Sequence, residues 1–225
     1  MTSRIVFCSA HHWNSPIQIS AHQLARQFAR HGWQVAFVSN PLSPVHALRS
    51  NDPLMSARFA NWRRGGAWDE HLPIFHYCPL TLLPVLSATA RYSWVLNGWP
   101  YFGLPRLTGV LRRAGFAAPD LLVLDSPLHA HLADELSAGR TVVRITDFNT
   151  GFATSTPALA AREMQLARRA DLVVITAERL RGYAEGLGAR RIAHVSNGVD
   201  FERLAAPSPP PPEWTTIPSP RAIYV

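Results

Sequence analysis

Asp147 stands within the segment RITDFNT, two residues past the apolar run TVVRI. A carboxylate released at the end of a buried strand can take a proton from a substrate hydroxyl, which is the work of a general base. An aspartate there can equally cap the turn that follows, as can Asn149 and Thr150, so position alone leaves both roles open. Asp125 and Ser126 follow LLVL one strand earlier and carry the same two readings. His11, His12, Trp13 and Asn14 follow the first apolar run. Substrate hydrogen bonding suits one of the two histidines. Neighbours in sequence seldom face one metal centre, and no HExxH spacing accompanies them, so no metal site is expected. His129 and His131 stand two apart, on different helix faces, and read as structural or surface residues.

Several chemistries are excluded outright. The 22 basic residues are all arginine. Without lysine there is no Walker A loop, whose lysine reaches the phosphates, and no Schiff base, which needs an amine. No GxGxxG dinucleotide fingerprint and no GxSxG nucleophile elbow occurs. Cys8 and Cys78 are too few for a zinc module or disulfide scaffold and are expected to be small buried residues in or beside strands.

The elements that must position these residues alternate between strand and helix. Strands are expected at Arg4–Ser9, Gln34–Ser39, Leu72–Tyr77, Leu121–Asp125, Thr141–Ile145, Leu172–Thr176 and Ile192–Val195. Helices are expected from Ser15-Pro16 to His31, near His129–Ser137, over Pro157–Arg169 and from Glu178 to Glu185. Residues 40–71 read as irregular, and prolines 79, 84, 100 and 105 break a helix over 79–113. Alternation of this kind implies βαβ units in a mostly parallel α/β sheet with helices on both faces. Ligands of such sheets gather beyond the carboxyl ends of the strands, at the loops Ala10–Pro16, Asp125–Leu128 and Thr146–Gly151.

Charge is unevenly placed. The net charge is +7, and residues 1–120 hold 11 arginines against four acids, whereas the remainder balances. The excess travels with Trp62, Trp68, Tyr92, Trp94, Trp99, Tyr101 and Phe102. Arginine among tryptophan and tyrosine suits an anionic membrane surface; a solvated basic face over core aromatics is the alternative. Single-stranded nucleic acid fits the same composition but is not the expected partner. The first residues, MTSRIVFCSAHH, lack a signal-peptide h-region and cleavage site, and no apolar stretch reaches about 20 residues, so a cytoplasmic protein is expected. Residues 207–220 form a proline-rich connector, and RAIYV after it reads as the opening strand of another domain. The expected organisation is a domain over 1–204, a linker over 205–221 and a strand at 222–225 that begins a second domain.

Ala170–Leu204, ADLVVITAERLRGYAEGLGARRIAHVSNGVDFERL, resembles the last βαβ of the N-terminal domain in GT-B glycosyltransferases, with Asn197, Gly198, Val199 and Asp200 in its NGVD position. IVFCSAHHWNSPIQISAHQLARQFARHGWQVAFVSN is similar to the first β-α-β of that Rossmann-like lobe. HHWNSP (His11 to Pro16) and RITD (Arg144 to Asp147) resemble, more closely, the membrane-associated inverting glucuronosyltransferases of bacterial exopolysaccharide assembly, though His12 stands where an acid is expected. The resemblance implies Asp147 as the base that deprotonates an acceptor hydroxyl during attack on a nucleotide-sugar. It implies substrate contacts from His11, His12, Asn14, Asp125, Ser126, Arg144, Asn149 and Asn197, a nucleotide-sugar co-substrate with no other cofactor, and a lipid-linked or saccharide acceptor met at the inner face of the plasma membrane. A donor-binding domain would lie beyond this chain. The competing expectation is a non-catalytic module that recruits a partner or acceptor to the membrane. A nucleotide-binding relative of the epimerases is a third, without its glycine fingerprint.

Overall fold

The computed structural model describes residues 2–47, 53–86 and 88–198, with isolated positions beyond. An eight-stranded sheet forms the centre, in the order β3-β4-β2-β1-β5-β6-β7-β8. Its strands are β1 (Arg4–Ser9), β2 (Gln34–Ser39), β3 (Ala67–Trp68), β4 (Ile74–Tyr77), β5 (Leu121–Leu124), β6 (Arg140–Ile145), β7 (Leu172–Ile175) and β8 (Ile192–His194). All pairings are parallel except β3 with β4. The chain winds outward from β1 in both directions, so β1 and β5 flank the switch point where ligands of doubly wound sheets bind.

Near-continuous apolar strands match burial on both faces. One face of β1, β2 and β4 is covered by α1 (Ser20–Arg30), whose Ala21, Ala25 and Ala29 meet Ile5, Phe7, Val35 and Phe37. The opposite face packs on α5 (Leu107–Arg113), α6 (Leu132–Glu135), α7 (Pro157–Arg169) and α8 (Arg181–Gly186), through Leu111, Leu132, Leu166 and Ala184. On the α1 side, Val123 of β5 joins the same cluster, with Leu121 and Val142 packed against it.

Two expectations need correction. The helix after β1 starts at Ser20, not at Ser15-Pro16. Ser15 instead forms a turn in which its Oγ accepts from the Ile17 amide at 3.2 Å. Residues 40–71 hold α2 (Pro44–Ala47), α3 (Pro53–Arg63) and β3. The α3 residues Met55, Phe59 and Trp62 close a small core of Leu42, Cys78 and Leu80 at the sheet edge. The stretch 79–113 is broken as expected, into α4 (Ser93–Gly98), a 3-10 turn over Trp99–Phe102, and α5. Both cysteines are buried. The expected linker and terminal strand, with Val199 and Asp200, lie almost wholly outside the described residues.

Candidate functional site at the switch point of the sheet

The loops after β1, β5 and β6 leave the sheet on one edge, as parallel strands require. The pairing of Leu124 with Val143 places Asp125 and Arg144 as cross-strand neighbours, which is why their side chains meet. Arg144 Nη1 donates to Asp125 Oδ2 at 2.7 Å, and Nη2 donates to Ser20 Oγ at 3.0 Å. The two side chains are 5% and 10% exposed, so the pair is buried. Burial outweighs the Arg144 charge and raises the Asp125 carboxyl to about 6. Its second oxygen, Oδ1, has no partner among the described residues.

Asp125 forms one wall of a cavity of about 370 Å³ between the β5 and β6 loops and the start of α7. Ser126 and Asn149 share it, together with Asn40 and Glu163, which the sequence did not single out. Ser126 Oγ donates to Asn40 Oδ1 at 2.8 Å, tying the β5 loop to the end of β2. Glu163 is buried in α7. Its carboxylate accepts from Asn149 Nδ2 at 2.6 Å and from the Tyr183 hydroxyl at 2.7 Å. The turn carrying Asn149 is thereby held between α7 and α8, and Phe148 packs edge-on against Tyr183 at 4.7 Å. Asp147 opens that turn. It is exposed, and one of its oxygens accepts from Thr146 Oγ1 at 2.9 Å.

The other candidates lie elsewhere. Asn197 lines a second cavity of about 390 Å³ between α1 and the β5–β7 part of the sheet, with Arg144, Val123, Val142 and Val174 also in its lining. Asn14 is exposed and His11 half-buried; burial, then Arg58, keeps His11 below the usual imidazole range. His12 is buried against His76, their rings 5.9 Å apart. Burial, reinforced by His76, Arg58 and His22, lowers it to about 4. His22 anchors this loop: its Nδ1 accepts from the Ile19 amide, so Nε2 carries the proton that reaches the His12 carbonyl at 3.0 Å. No group of three or more His, Cys, Asp or Glu among the described residues is placed to hold a metal ion. His129 is fully buried, which fits the structural reading and not the surface one.

The basic aromatic stretch divides in two. Trp99 is fully buried with its indole N–H on the Leu128 carbonyl, and Trp62 packs on the core. Trp94, Tyr101 and Phe102 are 64%, 66% and 53% exposed. Arg91 stacks on Tyr92 at 4.8 Å and Arg106 on Tyr101 at 5.7 Å. No helix among the described residues is long and apolar enough to cross a membrane.

The family described as "Glucuronosyltransferase GumK, N-terminal domain" matches residues 7–176. No curated protein matches. Among solved structures, sucrose-phosphate synthase from Thermosynechococcus elongatus superposes with a TM-score of 0.61 at 12% identity, over 91% of this chain and 53% of that one. A shorter form of the same synthase gives 0.54 at 15% identity, over 90% and 93%. Arabidopsis thaliana UGT89C1 complexed with UDP gives 0.51 at 12% identity, over 96% and 54%. At these identities the likeness shows the fold, that of a GT-B N-terminal lobe. The chain spans about half the length of the synthase and UGT89C1 structures.

Proposed function

The chain belongs to the family of glucuronosyltransferase GumK N-terminal domains, and on that premise we propose that it is the acceptor-side lobe of a glycosyltransferase. It would move a sugar from a nucleotide-sugar to a lipid-linked saccharide in bacterial surface or exopolysaccharide synthesis. The observation that carries the reading is the placement of RITD: Asp147 stands exposed just past β6, and Arg144 is buried beneath it on Asp125.

An acceptor hydroxyl over this edge would give its proton to Asp147 as the oxygen attacks the anomeric carbon. The bond from that carbon to the nucleoside diphosphate breaks as the new glycosidic bond forms. Donor binding is assigned to a second lobe, where positive charge and helix N-termini stabilise the leaving diphosphate. His11, Asn14 and Asn197 are assigned to further substrate contacts. No cofactor besides the nucleotide-sugar is assigned.

Peripheral attachment to an anionic leaflet, on the cytoplasmic side, is supported by the exposed Trp94, Tyr101 and Phe102 and by the arginines stacked on Tyr92 and Tyr101. The test is to express the chain with whatever follows residue 225 in its reading frame and incubate it with a panel of nucleotide-sugars and membrane extract. Release of one nucleoside diphosphate that depends on the extract is expected. Membrane recruitment with no diphosphate released from any donor would favour the non-catalytic module.

A further inference from the structure

A third cavity, of about 270 Å³, opens between α4, the 3-10 turn after it, the start of α6 and the second half of α7. It shares no lining residue with the two cavities above. Arg162 of α7 lines it, half-buried, and its Nη1 donates to the Leu96 carbonyl of α4, which fixes the direction of the guanidinium. Its other N–H groups meet no partner among the described residues. No carboxylate there offsets its charge either. Asp134, the one acid in the described lining, is engaged by both terminal nitrogens of Arg169. Glu163, next in the chain, lines the other cavity and is held by Asn149 and Tyr183. Burial alone acts on Arg162, pulling it below the usual guanidinium range. His131 adds no charge, because burial and then Arg162 lower it to about 3. Two guanidinium groups and one carboxylate leave the lining positive by one. A half-buried cation without a counter-charge favours an anionic ligand. The guanidinium fork fits phosphate and carboxylate alike. Asn97, Tyr101 and Gln165 decide between them, since their amide and hydroxyl groups border the cavity from α4, the 3-10 turn and α7. A phosphoryl group has at least three oxygens to accept from donors on several sides, whereas a carboxylate has two.

We propose that this cavity binds a phosphoryl group, with Arg162 as its charged anchor and Asn97, Tyr101 and Gln165 donating to its remaining oxygens. Tyr101 is 66% exposed and belongs also to the aromatic surface with Trp94 and Phe102. The group can therefore arrive on a lipid or on a soluble phosphate ester, and the same phosphoryl chemistry serves both.

The test is an NMR titration of the isotopically labelled full chain at constant ionic strength with inorganic phosphate, glycerol 3-phosphate and acetate. Glycerol 3-phosphate should move the Arg162 Nε–H signal and the side-chain amides of Asn97 and Gln165 with a dissociation constant of about 1–10 mM. Acetate should bind there at least about fivefold more weakly. Arg162→Gln should weaken the phosphate ester about tenfold or more. Asn97→Ala and Gln165→Ala, at exposed positions that leave the fold in place, should each weaken it about twofold to fivefold. Dihexanoyl phosphatidic acid below its micelle concentration, which carries the same phosphomonoester, separates the two sources. Binding about tenfold tighter than glycerol 3-phosphate assigns the group to a lipid, and equal or weaker binding assigns it to a soluble ester. No movement of the Arg162, Asn97 and Gln165 side-chain signals at about 50 mM of any phosphate would overturn the proposal. So would acetate binding as tightly as phosphate, or undiminished phosphate binding in Arg162→Gln or in both alanine variants. None of these readouts depends on sugar transfer, so the site stands or falls apart from the glycosyltransferase reading.

Discussion

Arg144, in the body of β6, donates to Asp125 just past the end of β5 across 2.7 Å, with both side chains withdrawn from solvent. The pair links the two strands that leave the switch point and fixes the entrance of the β5 loop. Removing one partner leaves a buried charge unmatched, which costs far more than the net value of the pair. Arg144→Met should lower unfolding stability in urea by about 3–5 kcal/mol, and Asp125→Leu added to it should restore much of the loss. Strictly additive losses in the double variant would show that the pair is not coupled.

Acid should destabilise this lobe early. Burial holds His12 near about 4 and His129 and His131 near about 3, below the ordinary imidazole value. The unfolded chain therefore binds more protons than the native one below pH 6.5, and stability present at neutral pH is lost as pH falls toward 4. Asp125 works in the opposite sense: raised to about 6, it disfavours the fold as it ionises between pH 4 and 6. The histidines outnumber it, each contributing up to about 1.4 kcal/mol per pH unit. The melting temperature should fall steadily from pH 7 to pH 5, and His129→Leu should flatten that slope. A profile unchanged over this range, or unchanged by the substitution, would contradict the account.

Membrane attachment should depend on the exposed half of the aromatic stretch alone. Replacing Trp94, Tyr101 and Phe102 together by serine should reduce co-sedimentation with phosphatidylglycerol vesicles by about tenfold or more while leaving the melting temperature nearly unchanged. Equal sedimentation of the variant would place the membrane contact elsewhere.

Seven of the eight strands were legible because each is an apolar run bounded by turn residues: the ranges read for β1 and β2 are those observed, while the two-residue β3 fell in a stretch read as irregular. The helix α3 was not. Its Met55, Phe59 and Trp62 keep an i, i+4, i+7 spacing, but Leu54, Ala57 and Ala60 spread apolar residues over the other faces and the buried position is the polar Asn61, so the period does not stand out. The start of α1 was misplaced because Ser15-Pro16 has the chemistry of a helix opening, while His22 supplies the bond that sets the start at Ser20. Asp125, Ser126 and Asn149 could be named from their positions after strands. Glu163 could not, because it stands in the body of a helix and its link to Asn149 spans 14 residues. Asn40 meets Ser126 across 86 residues, a separation that only the sheet order closes. His12 shows the reverse: its place after β1 suggested a ligand contact, and the fold turns it inward against His76.

The central claim is that Asp147 is the base of a sugar-transfer reaction at this edge. Because Asp147 is exposed and its only side-chain bond among the described residues is to Thr146, Asp147→Asn should leave the fold intact. The direct measurement is the transfer rate of Asp147→Asn against the parent protein, each expressed with whatever follows residue 225 in the reading frame, with its nucleotide-sugar and acceptor at saturation. The account predicts a loss in kcat of about 100-fold to 10,000-fold with an unchanged melting temperature; turnover within a few-fold of the parent would contradict it.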